Sequence, residues 1–244
     1  MTTLLQTSQD IFYPENDGQP MSENTEHYRW IVTIKENLEI LFAADANIFV
    51  AGDLLWYPLE GDRDTCAAPD VMVIFGVPKG KRGCYLQWQD GNIAPQIAFE
   101  IRSPSNSNTE LKRKFNFYQK HGVEEYYVYD PQTLVLDGWQ RQGQLLEPIL
   151  NMNDWVSPLL GIRFLMTTMD LELYRPDGRK FLTSVELEQE RERAEQRAEQ
   201  AEQKRDQERQ LREQAEQKRD QERQRAERLA AHLRALNIDP DLLD

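Results

Sequence analysis

The chain has 244 residues, of which 39% are hydrophobic, and a formal net charge of −13, which suits one well-filled domain and an appendage. Between Glu186 and Arg234 there are thirteen basic and fourteen acidic residues, so nearly all of the excess acid belongs to the rest of the chain. A domain this acidic does not have the composition of a general nucleic-acid-binding protein, which normally presents a basic face to phosphates.

The cysteines and the apolar segments indicate the compartment. Cys66 and Cys84 form neither a disulfide framework nor a zinc-binding pattern. The N-terminal residues lack the basic start and apolar stretch of a secretion signal, and no segment has the apolar length of a membrane span. We therefore expect a soluble, cytoplasmic protein with no membrane partner.

The first part of the chain predicts an irregular arm followed by a helix. Residues 1–20 are polar and contain two prolines and a glycine, which favour irregular structure. The main domain is predicted over residues 21–183 and opens with a helix from about Ser22 to Ala44. The apolar face of this helix has helical spacing and comprises His27, Ile31, Ile34, Leu38 and Leu41. We interpret His27, on an apolar face, as a core histidine.

A strand–helix–strand unit organises the rest of the domain. It begins with a buried strand over residues 97–101 and continues with a helix that starts at Ser107 and ends at Gly122. Ser107 and Glu110 have the spacing of a capping box. A second strand covers residues 125–129. Further strands are predicted over residues 47–50, 54–57, 69–75, 134–140, 144–149, 162–165 and 171–174.

Two acidic residues lie on apolar strands, where an unpaired carboxylate is costly. Asp70 opens one strand and Glu100 lies inside another. Two carboxylates on neighbouring strands can hold a hard divalent cation, and the carbonyl of Ile101 could add a third oxygen ligand. With a basic residue nearby, this is the outline of metal-dependent phosphodiester hydrolysis. The alternative is structural: Glu100 would pair with Arg102 or Lys114, and Asp70 would only open a strand.

Residues 184–236 have a different composition, dominated by Glu, Gln, Arg and Ala, and residues 237–244 form a short C-terminal end. The segment QAEQKRDQER occurs at 200–209 and again at 214–223, an offset of two heptads. We predict a long helix that forms at most a weak coiled coil, because charged residues interrupt its apolar seam. The seam consists of Ala194, Ala198, Ala201, Ala215, Ala226, Leu229, Leu233 and Leu236. Either a solvated single helix or self-association through this seam is compatible with the pattern.

Pro69-Asp70, followed by Glu100-Ile101-Arg102, is similar to the signature of the restriction-endonuclease-like PD-(D/E)XK nucleases. Within these nucleases, the domain resembles the bacterial Uma-two family over about residues 15–180. Further matching positions are Ala68, Val71, Phe99, Ser103, Ser105, Lys114, Tyr118, Gly122, Val123, Glu125, Tyr126, Asp130 and Pro131.

The resemblance implies a fold and a set of roles. The fold would be α/β, a restriction-endonuclease-like mixed sheet flanked by helices, followed by the helical tail. Mg²⁺ or Mn²⁺ would be held by Asp70, Glu100 and the carbonyl of Ile101, and DNA would be the substrate. The third signature position, normally lysine, is Arg102, which cannot act as a base because it is always protonated. Lys114 matches the position to which the family displaces this lysine, so Lys114 and Arg102 complete the catalytic set.

Two functions of different classes follow. The first is an endonuclease that hydrolyses DNA phosphodiester bonds with Mg²⁺ or Mn²⁺. The second is a catalytically weak or inactive protein of the same fold that acts as a binding or scaffold module through its tail. The acidic domain and the arginine at position 102 favour the second. In either case we expect a homo-oligomer that could assemble through the C-terminal helix.

Overall fold

The computed structural model describes residues 12–16 and 24–235. The chain divides into two compact units, Met1–Ser184 and Val185–Asp244. Of the predicted N-terminal arm, residues 12–16 form neither helix nor strand, and the rest of that arm lies outside the described residues. The predicted C-terminal end, residues 237–244, also lies outside them.

The first helix, α1 (Thr25–Leu41), begins three residues later and ends three residues earlier than its apolar pattern predicted. Its start is fixed by Asn24, whose side-chain oxygen accepts a hydrogen bond of 2.8 Å from the backbone N–H of His27. The predicted face is buried except for Leu41, which is partly buried, and the buried side of the helix also includes Trp30 and Asn37. Asn37 satisfies its amide by donating to the backbone carbonyls of Thr33 and Leu182.

Eleven strands are present in the described residues, and six of them form the central sheet. In chain order the strands are β1 (Ile48–Gly52), β2 (Trp56–Tyr57), β3 (Val71–Phe75), β4 (Tyr85–Leu86), β5 (Ile97–Ile101), β6 (Glu125–Asp130), β7 (Val135–Gln142), β8 (Leu145–Pro148), β9 (Trp155–Val156), β10 (Arg163–Met166) and β11 (Leu171–Tyr174). The central sheet has the order β1-β3-β5-β6-β7-β8, β11-β10-β9 form a second sheet, and β2 pairs with β4.

The central sheet is mixed, as expected. Strands β5 and β6 are parallel, and all other neighbours in this sheet are antiparallel. A parallel pair needs a crossover connection, and helix α2 (Asn108–His121) supplies it. In the antiparallel pair of β3 and β5, Val71 lies opposite Phe99. One residue further along, this register brings Asp70 and Glu100 to the same end of the two strands.

Each face of the sheet packs against a different helix. Alternation along β5 directs Ile97, Phe99 and Ile101 into the core shared with α1. Ala98 belongs to the opposite core, which contains Tyr118 of α2, and Glu100 shares the face of Ala98. The sheet therefore presents the Glu100 side chain to α2.

Helix α2 has the ends that its sequence predicted. The hydroxyl oxygen of Ser107 accepts a hydrogen bond of 3.1 Å from the backbone N–H of Glu110, which is the N-terminal half of a capping box. Gly122 ends the helix with φ at +97°, a left-handed conformation that favours glycine. Both ends of the helix are therefore specified by residues next to them in the sequence.

The second unit contains the helix α3 (Ser184–Ala235), which is 52 residues long and has no buried residue. Ion pairs three and four residues apart run along it, for example Arg191–Glu195 at 3.0 Å and Arg193–Glu190 at 2.9 Å. Such pairs support an exposed helix. In the described parts of the chain, no helix is both long enough and apolar enough to span a membrane.

Candidate active site

Asp70 lies just before β3 and is 8% exposed. Its carboxylate oxygen Oδ2 accepts a hydrogen bond of 2.6 Å from the backbone N–H of Ile101. The same oxygen lies 3.2 Å from Nε2 of His27. Because a carboxylate accepts hydrogen bonds, Nε2 is the ring nitrogen that carries the proton in this contact. The end of β5 and helix α1 together fix the orientation of Asp70.

His27 is the site residue that sequence reasoning assigned to the core. It is buried, but it contacts a carboxylate rather than only apolar neighbours. The signal was its position at the start of a helix whose apolar face packs on the strands that carry the acids. Helical spacing cannot show which acid such a histidine meets, because the contact joins residues 43 positions apart.

Glu100 is 3% exposed, and both of its carboxylate oxygens accept hydrogen bonds from α2. Lys114 Nζ donates to Oε2 at 2.6 Å, and the hydroxyl of Tyr118 donates to Oε1 at 2.5 Å. Lys114 and Tyr118 are four residues apart and therefore lie on one face of the helix. Lys114 Nζ also donates to the backbone carbonyl of Ala68 at 3.2 Å, so this one ammonium group links β5 to the segment that leads into Asp70.

Burial and charge determine the protonation of this cluster. Burial, and to a smaller extent the charge of Asp70, raises the pKa of Glu100, whereas Lys114 and Tyr118 lower it, and the net result is a pKa of about 7. For Lys114, burial alone would lower the pKa, but the charges of Glu100 and Asp70 outweigh it and the pKa is raised. Lys114 is therefore a cation at neutral pH, and it faces two buried acids.

The donor set fits a hard divalent cation. The cluster offers carboxylate oxygens from Asp70 and Glu100, each of which keeps lone pairs beyond the hydrogen bonds described. Within the described residues, no group of three or more His, Cys, Asp and Glu side chains forms a metal cage. Mg²⁺ is commonly bound through one or two carboxylates and otherwise keeps its waters. Two acids beside one lysine also leave an excess of negative charge that such a cation would neutralise.

The backbone of Ile101 is directed towards the same point. Its N–H donates to Asp70, and in a strand the N–H and C=O of one residue point towards the same neighbour. The carbonyl of Ile101 therefore faces the side on which Asp70 lies. This direction is compatible with the predicted role of the carbonyl as a third oxygen ligand.

Sequence comparison identifies the family. The model of the Uma2 family, described as "Putative restriction endonuclease", matches residues 7–172, which is more than half of the chain. The chain belongs to the Uma2 family. A similar solved structure is described as "a putative nuclease belonging to DUF820" from Anabaena variabilis ATCC 29413. It is 20% identical, covers 57% of this chain and 74% of its own, and has a TM-score of 0.42. Among curated proteins, none matches this sequence.

Arg102 is the one predicted site residue of this Uma2 protein that turns away from the cluster. Its guanidinium donates to the side-chain oxygen of Asn108 at 2.8 Å and lies 3.9 Å from a carboxylate oxygen of Asp130. Asn108 is the first residue of α2, and Asp130 is the last residue of β6. The structure thus brings together Asp70, Glu100, Ile101 and Lys114, with Arg102 on the other flank of α2.

Arg102 lies at the rim of a cavity of about 480 Å³ between α2 and the strands β6 and β7. The wall is largely aromatic, since Tyr126 and Trp139 stack with ring centroids 5.3 Å apart. The polar rim carries both charge signs. The lining residues are Arg102, Asn108, Leu111, Lys112, Phe115, Tyr126, Val128, Asp130, Thr133, Val135, Asp137 and Trp139. Helix α2 therefore separates this groove from the carboxylate cluster, with Lys114 on the cluster side and Lys112 on the groove side.

Two buried tyrosines allow a matched test of how Glu100 is held. Replacing Tyr118 by Phe removes a hydrogen bond to a buried carboxylate and should lower the free energy of unfolding by about 2 kcal/mol. Tyr126 is equally buried, and its hydroxyl has no hydrogen-bond partner within the described residues. Tyr126→Phe should therefore leave the free energy unchanged or raise it slightly. Urea denaturation of both variants measures this, and equal losses would contradict the described role of Tyr118.

Proposed function

We propose that this Uma2 protein is a metal-dependent endonuclease that hydrolyses DNA phosphodiester bonds. The observation that carries the proposal is the buried pair of acids, Asp70 and Glu100, held at one end of neighbouring strands and faced by a single lysine, Lys114. A structural ion pair needs one acid for one lysine. The second acid, oriented by a backbone N–H and by His27, is better explained by a divalent cation.

The contacts of each site residue suggest its role in this proposal. Asp70, Glu100 and the carbonyl of Ile101 would hold Mg²⁺ or Mn²⁺, which when bound polarises a phosphoryl oxygen and lowers the pKa of its water. Lys114, as a partly buried cation, would stabilise negative charge on the attacked phosphate or orient the attacking water. Tyr118 and His27 orient the two carboxylates. In this proposal Arg102 contacts the DNA backbone from the groove side of α2.

The acidic domain limits how DNA could bind. Most of the net charge of −13 lies outside the tail, so non-specific attraction for DNA should be small and binding should depend on a local surface. Helix α2 supplies exposed basic side chains for such a surface, Lys112 on the groove side and Arg113 next to it in the sequence, whereas Lys114 is directed at Glu100. We place this activity in the cytoplasm, where DNA, Mg²⁺ and reduced cysteines occur together.

Labelled oligonucleotides test this proposal. Single-stranded and duplex DNA of the same sequence are incubated with the full-length protein in Mg²⁺, in Mn²⁺ or in EDTA. We expect cleavage of at least one substrate in a divalent cation and none in EDTA. Equal cleavage in EDTA would contradict the metal dependence, and no cleavage under any condition would favour the second function.

The second function is a scaffold that keeps the nuclease fold without its activity. The specific observation in its favour is that Lys114 already binds Glu100 at 2.6 Å, so the pair is satisfied without a metal. A scaffold would also explain the tail of 52 helical residues with no core of its own. Metal-binding calorimetry distinguishes the two, because a purely structural pair should give no heat with Mg²⁺ or Mn²⁺.

We also propose that the protein is a homo-oligomer that assembles through α3. Removing residues 186–244 should leave the domain folded, because no residue of α3 is buried, and should lower the oligomeric state. Light scattering on the truncated and full-length chains measures this. If both have the same number of subunits, the tail is a lone helix or binds another protein.

A further inference from the structure

The seam of α3 has an unbroken heptad spacing. From Ala194 to Leu233, successive seam positions are separated alternately by four and three residues, as the a and d positions of a coiled coil are. The whole seam is unburied in the single chain, and Leu229 is 62% exposed. The positions with this spacing include both the apolar residues of the seam and the charged residues that interrupt it. In order, they are Ala194, Ala198, Ala201, Arg205, Glu208, Arg212, Ala215, Arg219, Glu222, Ala226, Leu229 and Leu233.

A parallel pair of such helices would bring like charges together. In register, every seam residue meets the same residue of the second copy. Arginine would then face arginine at three seam positions, Arg205, Arg212 and Arg219. Glutamate would face glutamate at two, Glu208 and Glu222. Like charges at facing seam positions oppose pairing. This arrangement is therefore the unfavourable one.

An antiparallel pair with its two-fold axis between Glu213 and Gln214 removes every one of these clashes. Arg205 then faces Glu222 of the second copy, and Glu208 faces Arg219 of the second copy. Each of these pairs occurs twice because of the two-fold symmetry. The charged middle of the seam thus becomes self-complementary in this orientation.

The same axis matches the uncharged positions by size. Ala198 faces Leu229, and Ala194 faces Leu233, so each leucine meets a small residue near the ends of the pair. In the middle, the long side chain of Arg212 faces Ala215. Small residues opposite large ones allow close helix packing. Size and charge therefore support one and the same register.

The flanking positions do not all favour this register. On one side of the seam, Glu202 faces Arg223 of the second copy and Arg209 faces Glu216 of the second copy, and both pairs join opposite charges. On the other flank, Lys204 faces Arg225, which is repulsive. Exposed flanking pairs contribute less than charges in the seam, so we expect a weak dimer of defined orientation.

We infer that α3 pairs with α3 of a second copy as an antiparallel coiled coil centred between Glu213 and Gln214. This inference rests on the proposal that the tail self-associates. The two copies of Ser184 then lie about 90 Å apart along the paired helices, given a rise of ~1.5 Å per residue. The two domains of the dimer are thus tethered at opposite ends, whereas parallel pairing would tether both at one end.

Charge reversal in the full-length protein tests the orientation. Arg205→Glu and Glu222→Arg should each raise the dimer dissociation constant by about tenfold or more, and the double variant should return it to within about threefold of wild type. Arg228→Glu, a matched reversal away from the seam, should have little effect. Sedimentation measures the dissociation constant, and circular dichroism shows that the helix is retained.

These measurements distinguish the antiparallel orientation from self-association of the tail as such. A wild-type monomer at tens of micromolar overturns both. A wild-type dimer that is unaffected by Arg205→Glu, or a double variant no tighter than the single ones, overturns the antiparallel register alone.

Cysteine cross-linking gives a second readout that does not depend on affinity. In a Cys66→Ser, Cys84→Ser background, chains with Ala201→Cys are mixed with chains carrying Ala226→Cys and oxidised. A disulfide needs Cα atoms within about 7 Å, so the antiparallel pair predicts cross-linking in the mixture and not in either variant alone. Cross-linking of each variant with itself would show a parallel pair and overturn the inference.

Discussion

Lys114→Ala is expected to lower Mg²⁺-dependent DNA cleavage by about a hundredfold, equivalent to about 3 kcal/mol. The reason is that Lys114 Nζ is the cation held beside Glu100, at 2.6 Å, in a place from which most water is excluded. Steady-state cleavage of a labelled substrate measures the change. Part of the loss will appear even at saturating DNA, because the charge acts on the reacting phosphate rather than on binding.

Lys112→Ala is the matched control, since it removes the same charge two residues away on the groove side of α2. It should weaken DNA binding modestly and leave the rate at saturating DNA nearly unchanged. Arg102→Lys should likewise preserve cleavage, because Arg102 contacts Asn108 and Asp130 and does not contact the proposed metal ligands. A Lys114→Ala enzyme that cuts as fast as wild type while Arg102→Ala is inactive would contradict these roles.

Asp70→Asn is expected to reduce Mg²⁺ affinity by more than about tenfold while leaving the domain folded. The amide keeps an oxygen that can accept the hydrogen bond from the N–H of Ile101, but it no longer carries the charge that a metal requires. Removing one of two neighbouring acids also relieves their repulsion in the metal-free protein. Isothermal titration calorimetry with Mg²⁺ and Mn²⁺ measures the affinity, and Glu100→Gln should show the same loss.

Asp137→Asn serves as the control for charge, because Asp137 is an exposed acid of the groove and not of the cluster. It should bind metal as wild type does. Undiminished metal binding by Asp70→Asn would remove Asp70 from the site. A wild-type protein without metal binding, together with an Asp70→Asn variant that unfolds, would show that the acids are structural.

The parts of the fold that the sequence predicts well are those with local causes. Helix α2 is bounded by a serine cap and a left-handed glycine, both of which are readable from neighbouring residues. Strand β5 has an apolar run of five residues with Glu100 inside it. The parallel pair of β5 and β6 follows because a helix connects them. The mixed sheet and the meeting of Glu100 with Lys114 rest on these features.

The remaining features depend on contacts between distant parts of the chain. The contact of His27 with Asp70 joins α1 to the start of β3, and no spacing in the sequence encodes it. The side to which Arg102 turns depends on Asn108 and Asp130, which come together only after α2 has crossed the sheet. The short strand β9 (Trp155–Val156) was not predicted, because two residues carry no periodic pattern.

Cleavage of a supercoiled plasmid tests the central claim most directly, namely that Asp70 and Glu100 form a metal-dependent phosphodiesterase site. Wild type and Asp70→Asn are incubated with the plasmid in Mg²⁺ and in EDTA, after equal folding has been verified by circular dichroism. We predict nicked or linear product only for wild type in Mg²⁺. Equal conversion by Asp70→Asn in Mg²⁺, or conversion by wild type in EDTA, would contradict the claim.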